Sequence, residues 1–338
     1  MIDLRSDTVT KPTKEMLEMM YHAKVGDDGY QEDPTVNELE KVAAELLGKE
    51  AALFVTSGTQ GNQIAILAHT KPGEEIIVDD QSHIYCSELE AVESLARVQV
   101  KALSNNRGVI PLQEVKKAIT ENTTFLSVEN THARTSGSIL PIDYLKELYS
   151  YVKSRNIVMH MDGARLFHAA VALGVDVQAF TKYTDTVSIC LSKGLGAPVG
   201  SILAGSEAFI TTARKWRRNL GGRMRQAGYL AAPGLYALQN MVERLQRDHE
   251  LAQELGNEIR KIDGLTLEFP VKTNILLVNC EGLSVDAKTV ASLLKKHHIL
   301  AKPHSDFVLR LVIHKDIRDK DINIIIKSFH SIVQSILL

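Results

Sequence analysis

The chain has 338 residues, 44% of them apolar and 24% charged, the mix of a soluble globular protein long enough for about two domains. Thirty-nine Lys and Arg against 41 Asp and Glu leave a net charge of −2, which argues against nucleic acid or an anionic membrane as the main partner. No window reaches the ~18 uninterrupted apolar residues of a membrane span, and three scattered cysteines (Cys86, Cys190, Cys280) suit a reducing, cytoplasmic compartment rather than a disulfide framework or a zinc cluster.

Residues 1–25 read as an N-terminal arm with one short helix around Thr13–Ala23. Asp3, Arg5 and Asp7 among its apolar positions exclude a secretory signal. Residues 26–240 read as one large domain in which short β-rich runs alternate with helix-length segments. The runs are Ala51–Val55, Glu75–Val78, Val98–Leu103, Thr124–Val128, Ile157–Met161, Thr186–Leu191 and Ser201–Ala204. Helices are expected at Gly61–His69, Leu112–Thr120 and Pro141–Ser154, the last from Leu145, Leu148, Tyr149 and Val152 at helical spacing. This alternation predicts an α/β domain with a mainly parallel seven-stranded sheet and ligands at the carboxyl ends of the strands.

Four strand ends carry chemistry. After Ala51–Val55 comes Thr56-Ser57-Gly58-Thr59-Gln60-Gly61, a small-residue turn opening a helix. Free N–H groups there bind phosphate, with Gly58 letting an anion approach and Ser57 and Thr59 adding hydroxyls; a merely capped helix is the plainer alternative. His83, in Ser82-His83-Ile84, follows the next strand. Asp162 ends the strand Ile157–Met161 and is followed by Gly163-Ala164-Arg165; a carboxylate there needs a partner, either Arg165 across the turn or a ligand nitrogen. His160 and His168 flank it without a trusted metal-ligand spacing, and no metal is expected. Lys193 follows Thr186–Leu191 within Ser192-Lys193-Gly194-Leu195-Gly196-Ala197-Pro198-Val199-Gly200, a glycine setting that a solvated surface lysine does not need. The glycines do not fit a dinucleotide fingerprint, because the third falls one place late and Pro198 interrupts the helix.

Residues 241–338 read as a smaller α+β domain: a helix over Val242–Ile262, strands Leu265–Phe269 and Asn274–Asn279, a helix Asp286–His297, a strand Val308–Ile313 and a helix Asp319–Leu337.

A phosphate turn, a strand-end Asp, a strand-end Lys and an adjacent His together suit pyridoxal phosphate. That cofactor takes a Lys for its Schiff base, a carboxylate on its ring nitrogen and a phosphate cradle.

At this point the chain resembles the low-specificity threonine aldolases, pyridoxal-phosphate enzymes of fold type I (aspartate aminotransferase-like). The resemblance rests on Leu4-Arg5-Ser6-Asp7-Thr8-Val9-Thr10-Lys11-Pro12-Thr13, Val25-Gly26-Asp27-Asp28, Glu32-Asp33-Pro34-Thr35, Ser57-Gly58-Thr59, Ser82-His83-Ile84 and Glu129-Asn130-Thr131-His132. It continues in Asp162-Gly163-Ala164-Arg165, in Ser192–Ser201 and in Met224-Arg225-Gln226-Ala227-Gly228. The resemblance implies Lys193 as the cofactor's attachment point and Asp162 on its ring nitrogen. It places Arg165 near the phenolic oxygen, His83 stacked on the ring and serving or positioning the base, and Gly58 and Thr59 on the phosphate with Arg225 nearby. Ser6 and Arg310 would bind the substrate carboxylate, and Tyr30 would border the site from a partner subunit. The implied reaction is retro-aldol cleavage of L-threonine, L-allo-threonine or a related β-hydroxy-α-amino acid to glycine and an aldehyde. The implied assembly is a homodimer or homotetramer with sites at the dimer interface.

The substrate side departs from the family pattern. Thr120-Glu121-Asn122-Thr123-Thr124-Phe125 is shorter than the family's loop and lacks its His. Gly29-Tyr30-Gln31, Gln60, Arg223 and Ala133-Arg134-Thr135-Ser136-Gly137 also differ. The alternatives are another reaction of a small amino acid on the same cofactor, β-elimination or racemisation, or a protein that binds the cofactor without useful turnover.

Overall fold

The computed structural model describes residues 1–337. In chain order the strands are β1 (Ile2–Asp3), β2 (Ala51–Val55), β3 (Glu75–Asp79), β4 (Gln99–Leu103), β5 (Thr123–Glu129), β6 (Val158–Asp162), β7 (Thr186–Cys190), β8 (Ser201–Gly205), β9 (Thr266–Leu267), β10 (Ile275–Asn279), β11 (Ile299–Leu300), β12 (Lys302–Pro303) and β13 (Val308–Val312). The helices are α1 (Lys14–Tyr21), α2 (Pro34–Leu47), α3 (Gly58–His69), α4 (His83–Ala91), α5 (Leu112–Ala118), α6 (Ile142–Ser154), α7 (Leu166–Leu173), α8 (Gln178–Thr181), α9 (Glu207–Asn219), α10 (Gly228–Asn240), α11 (Leu245–Ile259), α12 (Ala287–Lys296) and α13 (Asp319–Leu337).

Seven strands form the large sheet in the order β2-β8-β7-β6-β5-β3-β4. Only β8 is reversed, because it pairs antiparallel with both β7 and β2. The carboxyl ends of β2, β3, β5, β6 and β7 therefore share one edge, where ligands of such sheets bind. Helices cover both faces, so the inner strands are buried on both sides and rich in apolar residues, whereas β4 at the edge is half-exposed and carries Gln99 and Lys101. In β2, Ala52 and Phe54 face the core beneath α2, α6, α7 and α10, while Leu53 and Val55 face the core beneath α3, α4 and α9. That is the period of two expected for a strand.

A second, four-stranded antiparallel sheet has the order β12-β13-β10-β9, with its own core against α11, α12 and α13. Arg310 lies on β13, opposite Leu277 of β10 and Lys302 of β12. The N-terminal arm ties the two cores together. β1 pairs with β11 in parallel, Leu4 is buried in the smaller core, and Thr10 Oγ1 donates to the Lys193 carbonyl at 3.3 Å in the large domain.

Several expected elements change. The strand expected over Leu265–Phe269 shrinks to β9, and the helix expected from Val242 begins at Leu245. Six helices, α2, α4, α7, α8, α9 and α10, stand where the sequence reading assigns none. The α2 boundaries follow from local chemistry: Asp33 caps it by accepting from Thr35 and Val36, Pro34 takes the first helical position, and Gly48 ends it at φ +60.

Candidate active site

Five chain segments meet at the carboxyl edge of the large sheet and the face of β12–β13. They enclose a cavity of about 310 Å³ whose lining includes Ser6, His83, Glu129, Arg165, Lys193 and Arg310. Of the residues expected at the site, the structure brings Ser6, His83, Arg165, Lys193 and Arg310 to this one wall.

Lys193 lies three residues beyond β7, in a turn that glycine makes possible. Gly196 donates to the Lys193 carbonyl at 2.8 Å and Ala197 to the Leu191 carbonyl at 3.0 Å. Gly196 and Gly200 hold φ +78 and +96, and a Cβ at Gly200 would lie 2.3 Å from Phe54 Cε2. The glycine setting is thus required by the turn that presents Lys193. Its ammonium forms no hydrogen bond or ion pair with the described residues and faces the cavity.

Asp162 ends β6 beside Glu129 of β5 and is buried. Its Oδ2 accepts from Asn62 Nδ2 at 2.9 Å and its Oδ1 from the Ala164 N–H at 3.1 Å. Burial pushes its pKa up, but the positive charges of Lys193 and His83 and these two donors outweigh that and hold it below its ordinary value. An Asp162–Arg165 pair across the turn, one of the two partners expected from sequence, does not form. Arg165 reaches instead to the arm, where Nε and Nη2 grip Asp7 at 2.8 and 2.5 Å with both residues buried. Burial raises the Asp7 pKa, and the Arg165 guanidinium overrides it, keeping the carboxyl far below the usual carboxylate range.

His83 opens α4, its backbone N–H donating to Glu129 Oε2 at 2.7 Å. Its Nδ1 pairs with Glu88 Oε1 at 3.0 Å, and this bond raises the imidazole's pKa against the opposing effect of burial. Glu88 also accepts from Gln63 and Asn62. The carboxylates behind the cavity are thus joined through Asn62, whose Oδ1 takes Ser188 Oγ at 2.8 Å and His160 Nε2 at 3.1 Å. His160 is buried, pushed down to about 3, and so is a neutral donor in this network. His168 pairs with His249 at 2.8 Å.

At the β2–α3 turn, the Ser57 hydroxyl accepts from the Gln60 N–H, leaving the Gly58 and Thr59 N–H groups without acceptors among the described residues. Gly58 has a packing reason as well: a Cβ there would lie 2.8 Å from Cys190 Sγ. Arg310 donates to the Arg5 carbonyl at 3.2 Å, and burial, then the neighbouring Arg165 charge, pushes it down to about 10. Tyr30 and Arg225 do not line the cavity. Tyr30 is exposed beneath the Arg223 guanidinium, and Arg225 is exposed beside Asp27. The Thr120–Asn122 turn lies at the opposite edge of the sheet, before β5, where Asn122 accepts from the Glu75 N–H.

These residues fit pyridoxal phosphate. An uncommitted amine in the cavity wall, a buried ionised carboxylate behind it and free helix N–H donors at the same sheet edge are the three groups that cofactor needs, although Asp162, Gly58 and Thr59 do not themselves line the cavity. Asp7, Asn62 and Glu88 were not legible as parts of the site, because each acts through a partner distant in sequence or buried behind the wall.

Comparison with known proteins adds four findings. Residues 3–282 match the family described as beta-eliminating lyase. The chain is 43% identical over 324 residues to the low specificity L-threonine aldolase of Escherichia coli K12, covering 94% of this chain and 95% of that one. It is 41% identical over 346 residues to a probable low-specificity L-threonine aldolase of Arabidopsis thaliana, covering 99% and 98%. Among solved structures it is similar to a threonine aldolase of Leishmania major, with a TM-score of 0.85 at 19% identity, covering 98% and 100%.

Proposed function

The chain belongs to the beta-eliminating lyase family and, within it, to the low-specificity L-threonine aldolases, and on that premise we propose how its own residues perform the reaction. It is a pyridoxal-phosphate-dependent carbon–carbon lyase of fold type I that cleaves L-threonine, L-allo-threonine or a related β-hydroxy-α-amino acid to glycine and an aldehyde. The observation that carries the site assignment is the convergence of Lys193, His83, Arg165, Arg310 and Ser6 on one cavity with Asp162 buried behind it.

When bound, the cofactor supplies an aldehyde that attaches amines and a ring that accepts the electron pair released at Cα. Lys193 would hold it covalently, Asp162 would keep its ring nitrogen protonated, and the Gly58 and Thr59 N–H groups would bind its phosphate. Asp7 positions Arg165 and leaves its Nη1 uncommitted, where it would serve the cofactor's ring oxygen. Arg310 and Ser6 would hold the substrate carboxylate and so orient the Cα–Cβ bond for cleavage. His83 would pack against the ring; with Nδ1 held by Glu88, its Nε2 is the nitrogen left to take the β-hydroxyl proton.

The exposure of Tyr30 and Arg225 away from their own cavity supports the further reading that they complete a partner's site in a homodimer or homotetramer. We extend the proposal to a division into an arm (1–25), a large domain (26–240) and a small domain (241–338), supported by the separate core under β10 and β13. No described helix is long and apolar enough to cross a membrane; a cytoplasmic location rests on the unpaired cysteines.

The test is to incubate the holoenzyme with L-threonine, L-allo-threonine and other β-hydroxy amino acids and identify the products. Glycine and the matching aldehyde are expected. A 2-oxo acid and ammonia (2-oxobutanoate from threonine, pyruvate from serine), the outcome the family description would favour, or inversion at Cα without glycine, would contradict it.

A further inference from the structure

The cavity holds more positive charge than the proposed reaction uses. Lys193 is assigned to the cofactor, Arg165 is neutralised by Asp7, and Arg310 is assigned to the α-carboxylate. Two lining cations remain: Arg134, in the segment after β5, and Lys302, on β12. None of Arg134, Lys302 and Arg310 has a carboxylate within ion-pair distance among the described residues. Glu129 is the one carboxylate in the lining, and its oxygens already accept the N–H groups of His83 and Ala133.

The register sharpens this. Lys302 stands directly opposite Arg310 across β12–β13, so the two side chains leave the same face of the sheet. Like charges so opposed, about 5 Å apart at their Cβ atoms, repel and destabilise the pair. His304 also lines this end and supplies no counter-charge. Burial, then the positive charges of Arg134, Arg310 and Lys302, hold its imidazole toward the neutral form. Lys302 and Arg134 are exposed at the mouth of the cavity, where water screens their repulsion but leaves them open to an anion. One carboxylate satisfies Arg310 and leaves Lys302 and Arg134 facing the same space.

Resting on the aldolase reading above, we propose that this site prefers β-hydroxy-α-amino acids whose β-carbon bears a second anionic group, a carboxylate in the simplest case, received by Lys302 and Arg134. The two carboxylates of a four-carbon amino diacid are spaced to reach two adjacent cations of this kind. For 3-hydroxyaspartate the Cα–Cβ bond breaks and the β-hydroxyl proton passes to the base. The electron pair stays on Cα, which takes a proton, and the products are glyoxylate and glycine. No oxidant or reductant is required.

The experiment compares kcat/KM of the holoenzyme for 3-hydroxyaspartate, for 4-hydroxythreonine 4-phosphate and for threonine, each as both β-diastereomers. The expected result is a preference for an anionic substrate of about tenfold or more, expressed mainly in KM and shrinking as salt is added. Whichever anionic substrate is preferred identifies the group as carboxylate or phosphate. Lys302→Met and Arg134→Met should each reduce that preference. Calorimetry gives a readout without turnover: the holoenzyme should bind L-aspartate more tightly than L-alanine, and the double variant should lose the difference. Threonine cleaved as well as the anionic substrates, with both variants leaving the ratio unchanged, overturns this inference and leaves the aldolase reading standing. Release of glycine from none of them overturns both.

Discussion

Asp7 shows how an individual residue acts through another. Its carboxylate is fully buried against Arg165, and neutralising it strands a buried guanidinium. Asp7→Asn should therefore destabilise the protein by about 3–5 kcal/mol, whereas Asp3→Asn, which breaks the more exposed pair with Arg5, should change it by less than about 1 kcal/mol. Urea denaturation of both variants measures the contrast; equal effects would sink the assignment. Because the folded Asp7 pKa is depressed, its stabilisation is present above the unfolded value of about 3.9 and is lost as pH falls through the folded one. His83 has the opposite sign. Its folded pKa is raised, so its contribution is present below about 6.5 and is lost as pH rises through the folded value. Glu88→Gln should lower the pH at which His83 titrates in an NMR histidine titration, and should shift the basic rise of the kcat/KM profile in the same direction. An unmoved titration would show that Glu88 does not govern this imidazole.

At the scale of elements, the strands were legible and many helices were not, for physical reasons. A strand covered on both faces is short and rich in apolar and β-branched residues, and the inner strands of the large sheet stand out for that reason. By contrast, α10 contains Pro233 and Gly234, residues that normally break a helix, and is held by its packing against α1 and α2. In α9 only Phe209, Ile210, Ala213 and Arg217 are buried, a narrow stripe in a basic segment. The α2 start was readable in Asp33-Pro34, although not the reach of its cap. Asp33 also accepts the N–H groups of Gly26 and Gly228 at 3.2 and 2.9 Å, fastening the loop before α2 and the start of α10 together. Asp33→Ala removes a helix cap and leaves two further N–H groups without their acceptor. It should lower stability by about 2–4 kcal/mol, more than an ordinary cap's ~1 kcal/mol, as read by thermal unfolding. The site followed the same pattern. Lys193, Asp162 and His83 were visible because each follows an apolar strand, while Asp7 lies 158 positions from the residue it holds. Two departures from the family pattern also prove to be neighbours: Gly29 leaves room for the Arg223 side chain, since a Cβ there would lie 2.2 Å from Nη2.

Across the whole molecule, the cavity exists because the arm binds the small domain to the carboxyl edge of the large sheet. Ile2 and Asp3 pair with β11, Leu4 packs in the small core, and Asp7 three residues later is anchored on Arg165. Removing residues 1–8 should therefore abolish turnover as well as lower stability, because Ser6 and the Arg165 anchor leave together; cleavage of threonine at an unchanged rate by the shortened chain would show that the arm is dispensable. The most direct test of the site as a whole is to reduce the holoenzyme with borohydride, which makes the cofactor's attachment permanent, and to map the modified peptide by mass spectrometry. The expected result is modification at Lys193 alone, absent from the Lys193→Ala variant, which also releases no glycine from threonine. Modification at another lysine, or glycine release by that variant, would contradict the assignment of this cavity as the active site.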